Sequence, residues 1–280
     1  MSYSIRLKPS KSVDLDALPT SETHGHDKIS AAAAMSELAH ELATLQELLY
    51  GAAQHSVLVV VQGRDTAGKD GLINNLLSHV DAMGVQTTAF KAPSAEELSR
   101  DFLWRVHKAV PARGYLGIFN RSHYEDVLVT RVNGWITASQ CRQRYQHINH
   151  FEQLLSDSNT LILKIFLHIS KEEQEERLLE REQNPQRSWK LAVEDWRDRE
   201  KWDDYTRAYE AALEHCSEAA PWHVVPADRK WYRNLAVTEL LVELLRPHRS
   251  VWEEALLLRG EQSRQALAAW RHSRSRPSGD

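Results

Sequence analysis

The chain has 280 residues, of which 42% are hydrophobic and 26% are charged, and its formal net charge is -4. This composition is that of an ordinary globular protein. The negative balance excludes an overall basic field that would recruit nucleic acid or an anionic membrane surface. Any polyanion must therefore be held by a local cluster of Lys and Arg side chains.

The compartment and the number of domains follow from the apolar runs and the cysteines. The N-terminus lacks the apolar core of a secretion signal, and the longest apolar runs are only as long as a strand. Cys141 and Cys216 lie far apart without metal-ligand spacing, which is typical of reduced structural thiols. We therefore expect a cytoplasmic protein without nucleic-acid or membrane partners, forming one domain over residues 1–280.

The first elements in chain order are an arm, a helix and a strand. Residues 1–28 are polar and irregular, which predicts an arm lying over the body. Ser30 can cap a helix over about 31–50, in which leucines at helical spacing form one apolar stripe. A run of buried-strand character follows at about 56–62.

This strand runs directly into a glycine-rich loop that opens a helix. Between Val57 and Leu72 the chain reads VLVVVQGRDTAGKDGL. Residues 63–70 fit the phosphate-binding pattern GxxxxGK[ST] except at Asp70, where a Ser or Thr normally contacts magnesium. Glycines let such a loop turn tightly, and its N–H groups with the helix N-terminus form an anion nest. The pattern predicts a phosphate site formed by Gly63, Thr66, Ala67, Gly68, Lys69, Asp70 and Gly71.

The charged residues of the loop carry its expected chemistry. Lys69 supplies a mobile cation that can follow a phosphate during transfer. Asp65 would repel a bound phosphate unless a cation lay between them, which favours a magnesium ligand or a catalytic group. The alternative is a turn residue whose carboxylate bonds its own backbone. Asp70 either belongs to the phosphate site or only caps the helix.

The rest of the chain alternates strands with helices. Further strands are expected at about 85–90, 115–119, 160–167 and 222–225, and helices up to about 83, from 94, at 138–155, 171–182, 202–212 and 228–245. Ser94, Ser170 and Asp228 are the expected caps. The alternation predicts an α/β fold of three layers, α/β/α, with a parallel five-stranded sheet. Residues 247–280 are expected to form a C-terminal helical tail, and the Trp and Tyr residues between 196 and 209 are expected to pack rather than stack on bases.

A polar cluster follows the third strand, in the sequence IFNRSHYED. The carboxyl ends of parallel strands meet at one edge of a sheet, so this cluster should face the glycine loop. Arg121 can clamp phosphate oxygens, and Asn120 can donate to them without adding negative charge. Glu125 and Asp126 are candidate magnesium ligands, or else first-turn acids favoured by a helix dipole. His123 is expected to be structural.

Positive charge is concentrated after the fourth strand. Arg177 and Arg181 lie four residues apart and hence on one helix face, and Arg187 and Lys190 follow a proline break. A cationic lid over about 177–200 that closes on phosphates is one interpretation, and ordinary surface pairs with neighbouring glutamates are the other. Further phosphate candidates are Lys91 and Arg131.

Taken together, GRDTAGKDG, FKAPSAEEL, FNRSHYEDVLVTR and the RxxxR…NPQRSWK stretch resemble the second family of polyphosphate kinases, over about residues 7–246. The family motif GxDxxGKxG accounts for Asp70. The Asn at position 120, directly before Arg121 and Ser122, resembles the residue that class III of the family carries there. That class is associated with phosphorylating both AMP and ADP. The resemblance implies a P-loop kinase-like fold with a helical lid and a homo-oligomer, tetramer or dimer. It also implies dependence on Mg²⁺, or on Mn²⁺ in its place.

The resemblance also implies roles for individual residues. Asp65 and Lys69 would be catalytic, Arg121 would bind the transferred phosphate, and Arg177 and Arg181 would belong to the lid. Arg64 lies at a variable position of the motif, so no role is carried over to it.

The expected reaction is reversible transfer of the terminal phosphoryl group of inorganic polyphosphate to AMP or ADP, which ends in ATP. The alternatives are a nucleoside monophosphate kinase that uses ATP as donor, and a regulator that binds nucleotide or polyphosphate without turnover. The intact set of Asp65, Lys69 and Arg121 favours an enzyme.

Overall fold

A single sheet organises the described part of the chain. The computed structural model describes residues 3–9, 11–186, 189 and 191–274. Within these ranges six strands lie in the order β1-β6-β5-β2-β4-β3. Their bounds are β1 Ile5–Arg6, β2 Ser56–Gly63, β3 Val85–Ala89, β4 Leu116–Asn120, β5 Thr160–His168 and β6 Trp222–Pro226.

Five of these strands form the parallel sheet expected from the sequence, but the strand count of five is wrong by one. The arm contributes β1, which pairs antiparallel with β6 through Ile5 opposite Val224. The central pair is β2 and β5, with Gly63 opposite Leu167 at the carboxyl end. A two-residue strand carries no readable alternation of side chains, so its pairing is set by the neighbouring edge rather than by its own pattern.

Helices cover both faces of the sheet, which confirms three layers. Their bounds are α1 Lys28–Ala52, α2 Lys69–Leu77, α3 Ala95–Leu98, α4 Trp104–His107, α5 Val129–Val132, α6 Ala138–Asp157, α7 Lys171–Gln183, α8 Val193–Glu200, α9 Trp202–His215, α10 Lys230–Leu245 and α11 Arg249–Arg274. One apolar core packs α1, α2 and α10 against the sheet, and a second packs α6 and α9 against its other face. The buried Tyr205 and Tyr209 belong to this second core, as expected for packing residues.

Several helix ends differ from the expected ones because of capping. Helix α1 begins earlier, since the cap is Asp27, which accepts from the Ser30 N–H while Ser30 reaches back. The capping box at Ser94 is formed as expected. Asp228 does not cap α10; its carboxylate accepts the Ser170 N–H at 2.9 Å and so ties the end of β5 to the loop after β6.

A buried charged cluster lies between the sheet and α6. The Lys164 ammonium donates to Glu152 at 2.5 Å and to the Tyr124 hydroxyl at 3.0 Å. His123 lies 3.3 Å from the same carboxylate, in the structural position expected for it. Both cysteines are buried and free, as predicted.

The C-terminal tail is the long helix α11. Trp252 is fully buried and donates to the His55 ring at 3.0 Å, which fixes the first turn of the helix on the body. Beyond Leu256 the described side chains of the helix are largely exposed. None of the helices in the described ranges is both long enough and apolar enough to cross a membrane.

Candidate phosphate-binding site

The loop between β2 and α2 is built on left-handed backbone that glycine tolerates. Gly68 has φ +96° and directly precedes α2, and Thr66 has φ +63°. A Cβ at Gly63 would lie 2.9 Å from the Leu167 carbonyl oxygen, because β5 runs alongside. The loop therefore requires glycine where the sequence has it. The predicted phosphate residues from Gly63 to Gly71 lie at the last residue of β2, in this loop or in the first turn of α2.

Lys69 is drawn into the loop. Its side chain is buried, and its ammonium donates to the carbonyls of Gly63 at 2.7 Å and Arg64 at 3.0 Å. Burial, with the nearby positive charge of Arg121, lowers the pKa of Lys69 to about 8. An ammonium held by neutral carbonyls in a dry loop is a strong partner for an incoming anion.

Arg121 bridges two carboxylates across the crevice. It follows β4 with φ +61° and donates to Glu125 at 3.1 Å and to Asp65. Burial acts to lower the pKa of Arg121, but the two carboxylates raise it above its ordinary value. Asp65, Arg121 and Glu125 thus form one chain of charges beside the loop, as the sequence predicts.

The same edge of the sheet brings Asn120 to Asp70. The Asn120 amide donates to the Asp70 carboxylate at 2.8 Å. Asp70 lies in the first turn of α2, where the helix dipole favours a carboxylate. Together with the hydrogen bond from Asn120, this position supports the interpretation of Asp70 as part of the phosphate site.

Asp126 has a different environment from the magnesium site expected for it. Its carboxylate pairs with Arg105 at 3.3 Å, and Arg144 donates to its carbonyl at 2.6 Å. Burial raises the pKa of Asp126 despite these cations. The side chain does not line the crevice. We therefore replace the expected metal role of Asp126 by a structural one.

The acids that remain fit a magnesium ion only together with a substrate. The described residues contain no group of three or more His, Cys, Asp or Glu side chains placed to hold a metal. Asp65 and Glu125 supply two carboxylates on one side of the crevice. Mg²⁺ in phosphotransferases is held by one or two carboxylates plus substrate phosphates and water. The donor set present fits that arrangement.

The two arginines assigned to the lid occupy different places. Arg181 on α7 pairs with Asp195 on α8 at 2.7 Å, so it joins the two helices of the expected lid. Arg177 is buried and donates to the carbonyls of Thr66, Ala227 and Asp228 at 2.8–2.9 Å. Arg177 therefore joins the glycine loop to the segment after β6 through its hydrogen bonds. Arg187 and Lys190 lie outside the described residues.

The two remaining phosphate candidates do not line the crevice. Lys91 is exposed after β3, and its carbonyl accepts from Arg105 at 2.9 Å. Arg131 is exposed at the end of α5. Neither side chain is among those that line the crevice beside the glycine loop.

Other crevice residues have no individual signal in the sequence. The crevice has a volume of about 380 Å³, which includes the part that is open to solvent. Its lining adds Arg64, Leu128, Val129, Gln174, Asp198, Tyr205 and Tyr209 to the expected residues. The Gln174 amide donates to the Asp65 carbonyl at 3.2 Å, and Asp198 from α8 closes the far side. These residues meet the loop only through the tertiary packing of α5, α7, α8 and α9, which no local pattern shows.

Comparison with known proteins decides the family. The sequence model of "Polyphosphate kinase 2 (PPK2)" matches residues 25–250. The chain belongs to the polyphosphate kinase 2 family. Among family relatives, it is 48% identical to the AMP/ADP-polyphosphate phosphotransferase of Meiothermus ruber over 243 residues, which covers 86% of this chain and 91% of that protein.

Two further relatives extend the comparison. The ADP-polyphosphate phosphotransferase of Rhodopseudomonas palustris is 40% identical over 260 residues, covering 86% of this chain and 88% of that one. The crystal structure of polyphosphate kinase 2 from Arthrobacter aurescens TC1 superposes with a TM-score of 0.82 at 41% identity, covering 86% of this chain and 91% of that chain. The fold is thus that of polyphosphate kinase 2 structures.

Proposed function

We propose that this protein transfers the terminal phosphoryl group of inorganic polyphosphate to AMP and ADP, reversibly and with Mg²⁺. The observation that carries the proposal is the convergence of Lys69 with the bridged set of Asp65, Arg121 and Glu125 at one glycine loop. The names of the relatives from Meiothermus ruber and Rhodopseudomonas palustris support polyphosphate as the donor and AMP or ADP as the acceptor.

The reaction requires positioning and neutralised charge more than covalent help from the protein. An acceptor phosphate oxygen attacks the terminal phosphorus, the anhydride P–O bond breaks, and the polymer leaves one unit shorter. Lys69 and the loop N–H groups hold the donor, and Arg121 binds the transferring group in fork geometry. Asp65 and Glu125 would hold Mg²⁺, which would supply further neutralisation of negative charge.

The direct test uses purified protein with polyphosphate, Mg²⁺ and each of AMP, ADP, GMP and GDP, without any nucleoside triphosphate. We expect AMP to give ADP and then ATP, measured by anion-exchange chromatography. Dependence on ATP with indifference to polyphosphate would instead assign a nucleoside monophosphate kinase. Tight binding of polyphosphate without product would assign a regulator.

We also propose a cytoplasmic homo-oligomer, a dimer or a tetramer. The two buried free cysteines are consistent with a reducing compartment. Exposed apolar side chains on α11, including Leu257, Leu258 and Trp270, offer surface for association. Light scattering after size exclusion measures the subunit number, and a monomer at assay concentration would contradict an oligomer.

The depressed pKa of Lys69 makes a prediction about pH. Only the protonated ammonium attracts phosphate, so kcat/KM for polyphosphate should be level below about 8 and fall above it. The fall should approach about tenfold per pH unit. Lys69→Arg is the matched variant, because a guanidinium stays protonated and should move the fall to higher pH. The same alkaline fall in both proteins would exclude Lys69 as its source.

A further inference from the structure

Arg64, at the second position of the glycine loop, has no role in the mechanism described above. Its carbonyl accepts the Lys69 ammonium at 3.0 Å and the Ala67 N–H at 3.1 Å. The placement of this carbonyl therefore helps to determine where the ammonium lies. The side chain of Arg64 is anchored outside the loop.

The Arg64 side chain is anchored on the first turns of α9. Its guanidinium carbon lies 3.6 Å from the centroid of the Trp202 ring, and a guanidinium N–H donates to the Thr206 hydroxyl. The residue is only 8% exposed. Burial lowers the pKa of Arg64 to about 10, because removing the guanidinium from water disfavours its charge. The contacts with the Trp202 ring and the Thr206 hydroxyl offset part of this desolvation.

Trp202 lies at the junction between the core and the lid segment. It is the first residue of α9, and α8 ends two residues earlier at Glu200. From α9 onward the chain is held in the core by Tyr205 and Tyr209, whereas α8 has no buried residue. The start of α9 is thus the fixed end from which α8 extends.

We propose that Arg64 is a positioning residue that joins the glycine loop to the start of α9 and so aligns Lys69 with α8 across the crevice. The inference rests on the proposed phosphoryl transfer. Planar stacking carries the alignment, because a flat guanidinium on a flat ring fixes both its distance and its orientation. Positive charge alone at this position would not fix the carbonyl that holds Lys69.

Three variants separate stacking from charge. Arg64→Lys keeps the charge and loses the planar fork, Trp202→Leu removes the ring and leaves Arg64 intact, and Trp202→Phe keeps an aromatic face. Arg274→Lys is the matched control, because Arg274 also lies over a tryptophan, Trp270, but on the exposed end of α11. Thermal unfolding of each variant establishes that it is folded at the assay temperature.

We expect Arg64→Lys and Trp202→Leu to lower kcat by about tenfold each. The KM values for AMP and polyphosphate should change by less than about threefold, because an alignment defect acts on the transition state. The kcat of the double variant should lie within about twofold of the kcat of the slower single variant, because both changes break the same contact. Trp202→Phe should retain kcat within about threefold of the parent, and Arg274→Lys should match the parent.

Two results would overturn the inference. One is full kcat in Arg64→Lys together with full kcat in Trp202→Leu, which would reduce Arg64 to a charge or a packing group. The other is a lowered Tm with unchanged kcat below that temperature, which is the mark of a purely structural contact. If the parent protein itself does not turn over polyphosphate, the proposed function fails instead, and the two failures are thus distinct.

Discussion

Replacing Lys69 by methionine is expected to lower kcat/KM for polyphosphate by about a hundredfold to a thousandfold. The ammonium is buried, and its present partners are two neutral carbonyls. Its charge is therefore available to an incoming phosphate. Methionine keeps the length and the apolar stem of the side chain, so the change removes the charge and little volume.

The stability of Lys69→Met separates a catalytic role from a structural one. Loss of the two hydrogen bonds to carbonyls is unfavourable, but removal of a buried charge is favourable. These effects oppose each other, and we expect Tm to change by no more than about 4 °C. Lys28→Met, at an exposed lysine in the first turn of α1, is the control and should retain full activity. Near-parental activity of Lys69→Met would remove the lysine from the mechanism.

The sequence predicted the parts of the fold that depend on local pattern. The central strands β2 and β5 are mostly apolar, and GxxxxGK combines strand, glycines and helix start in a few residues, so both could be read directly. Strand β1 could not, because a two-residue edge strand is specified by β6 and not by its own residues.

The site shows the same division between local and tertiary information. Asp65, Lys69 and Arg121 come from motifs and meet at the carboxyl edge of the sheet. Arg177 shares a helix face with Arg181 in sequence, yet it faces the loop carbonyls while Arg181 pairs with Asp195. Helical spacing predicts a shared face but not which neighbour that face meets. The partners of Arg177 and Arg181 therefore depend on how α7 packs against the loop and against α8.

Asp65→Asn and Asp126→Asn, at two acids that the sequence offered as magnesium ligands, are expected to behave in opposite ways. Asp65 lines the crevice and contacts Arg121, so its loss should lower kcat by about a hundredfold and raise the Mg²⁺ concentration required for half-maximal rate. Arg121 keeps Glu125 as a partner at 3.1 Å. For this reason we expect the Tm of Asp65→Asn to stay close to that of the parent.

Asp126→Asn should instead leave the rate within about twofold of the parent and lower the free energy of unfolding by about 3 kcal/mol. The change removes the carboxylate nearer to the buried guanidinium of Arg105, at 3.3 Å, and leaves it only the more distant carboxylate of Glu97, at 3.9 Å. Mg²⁺ titrations at saturating polyphosphate, combined with thermal unfolding, measure both quantities for both variants. If Asp126→Asn loses as much activity as Asp65→Asn and shifts the Mg²⁺ requirement equally, Asp126 must reach the metal during turnover. In that case its contacts with Arg105 and Arg144 belong to a resting arrangement that the substrate breaks.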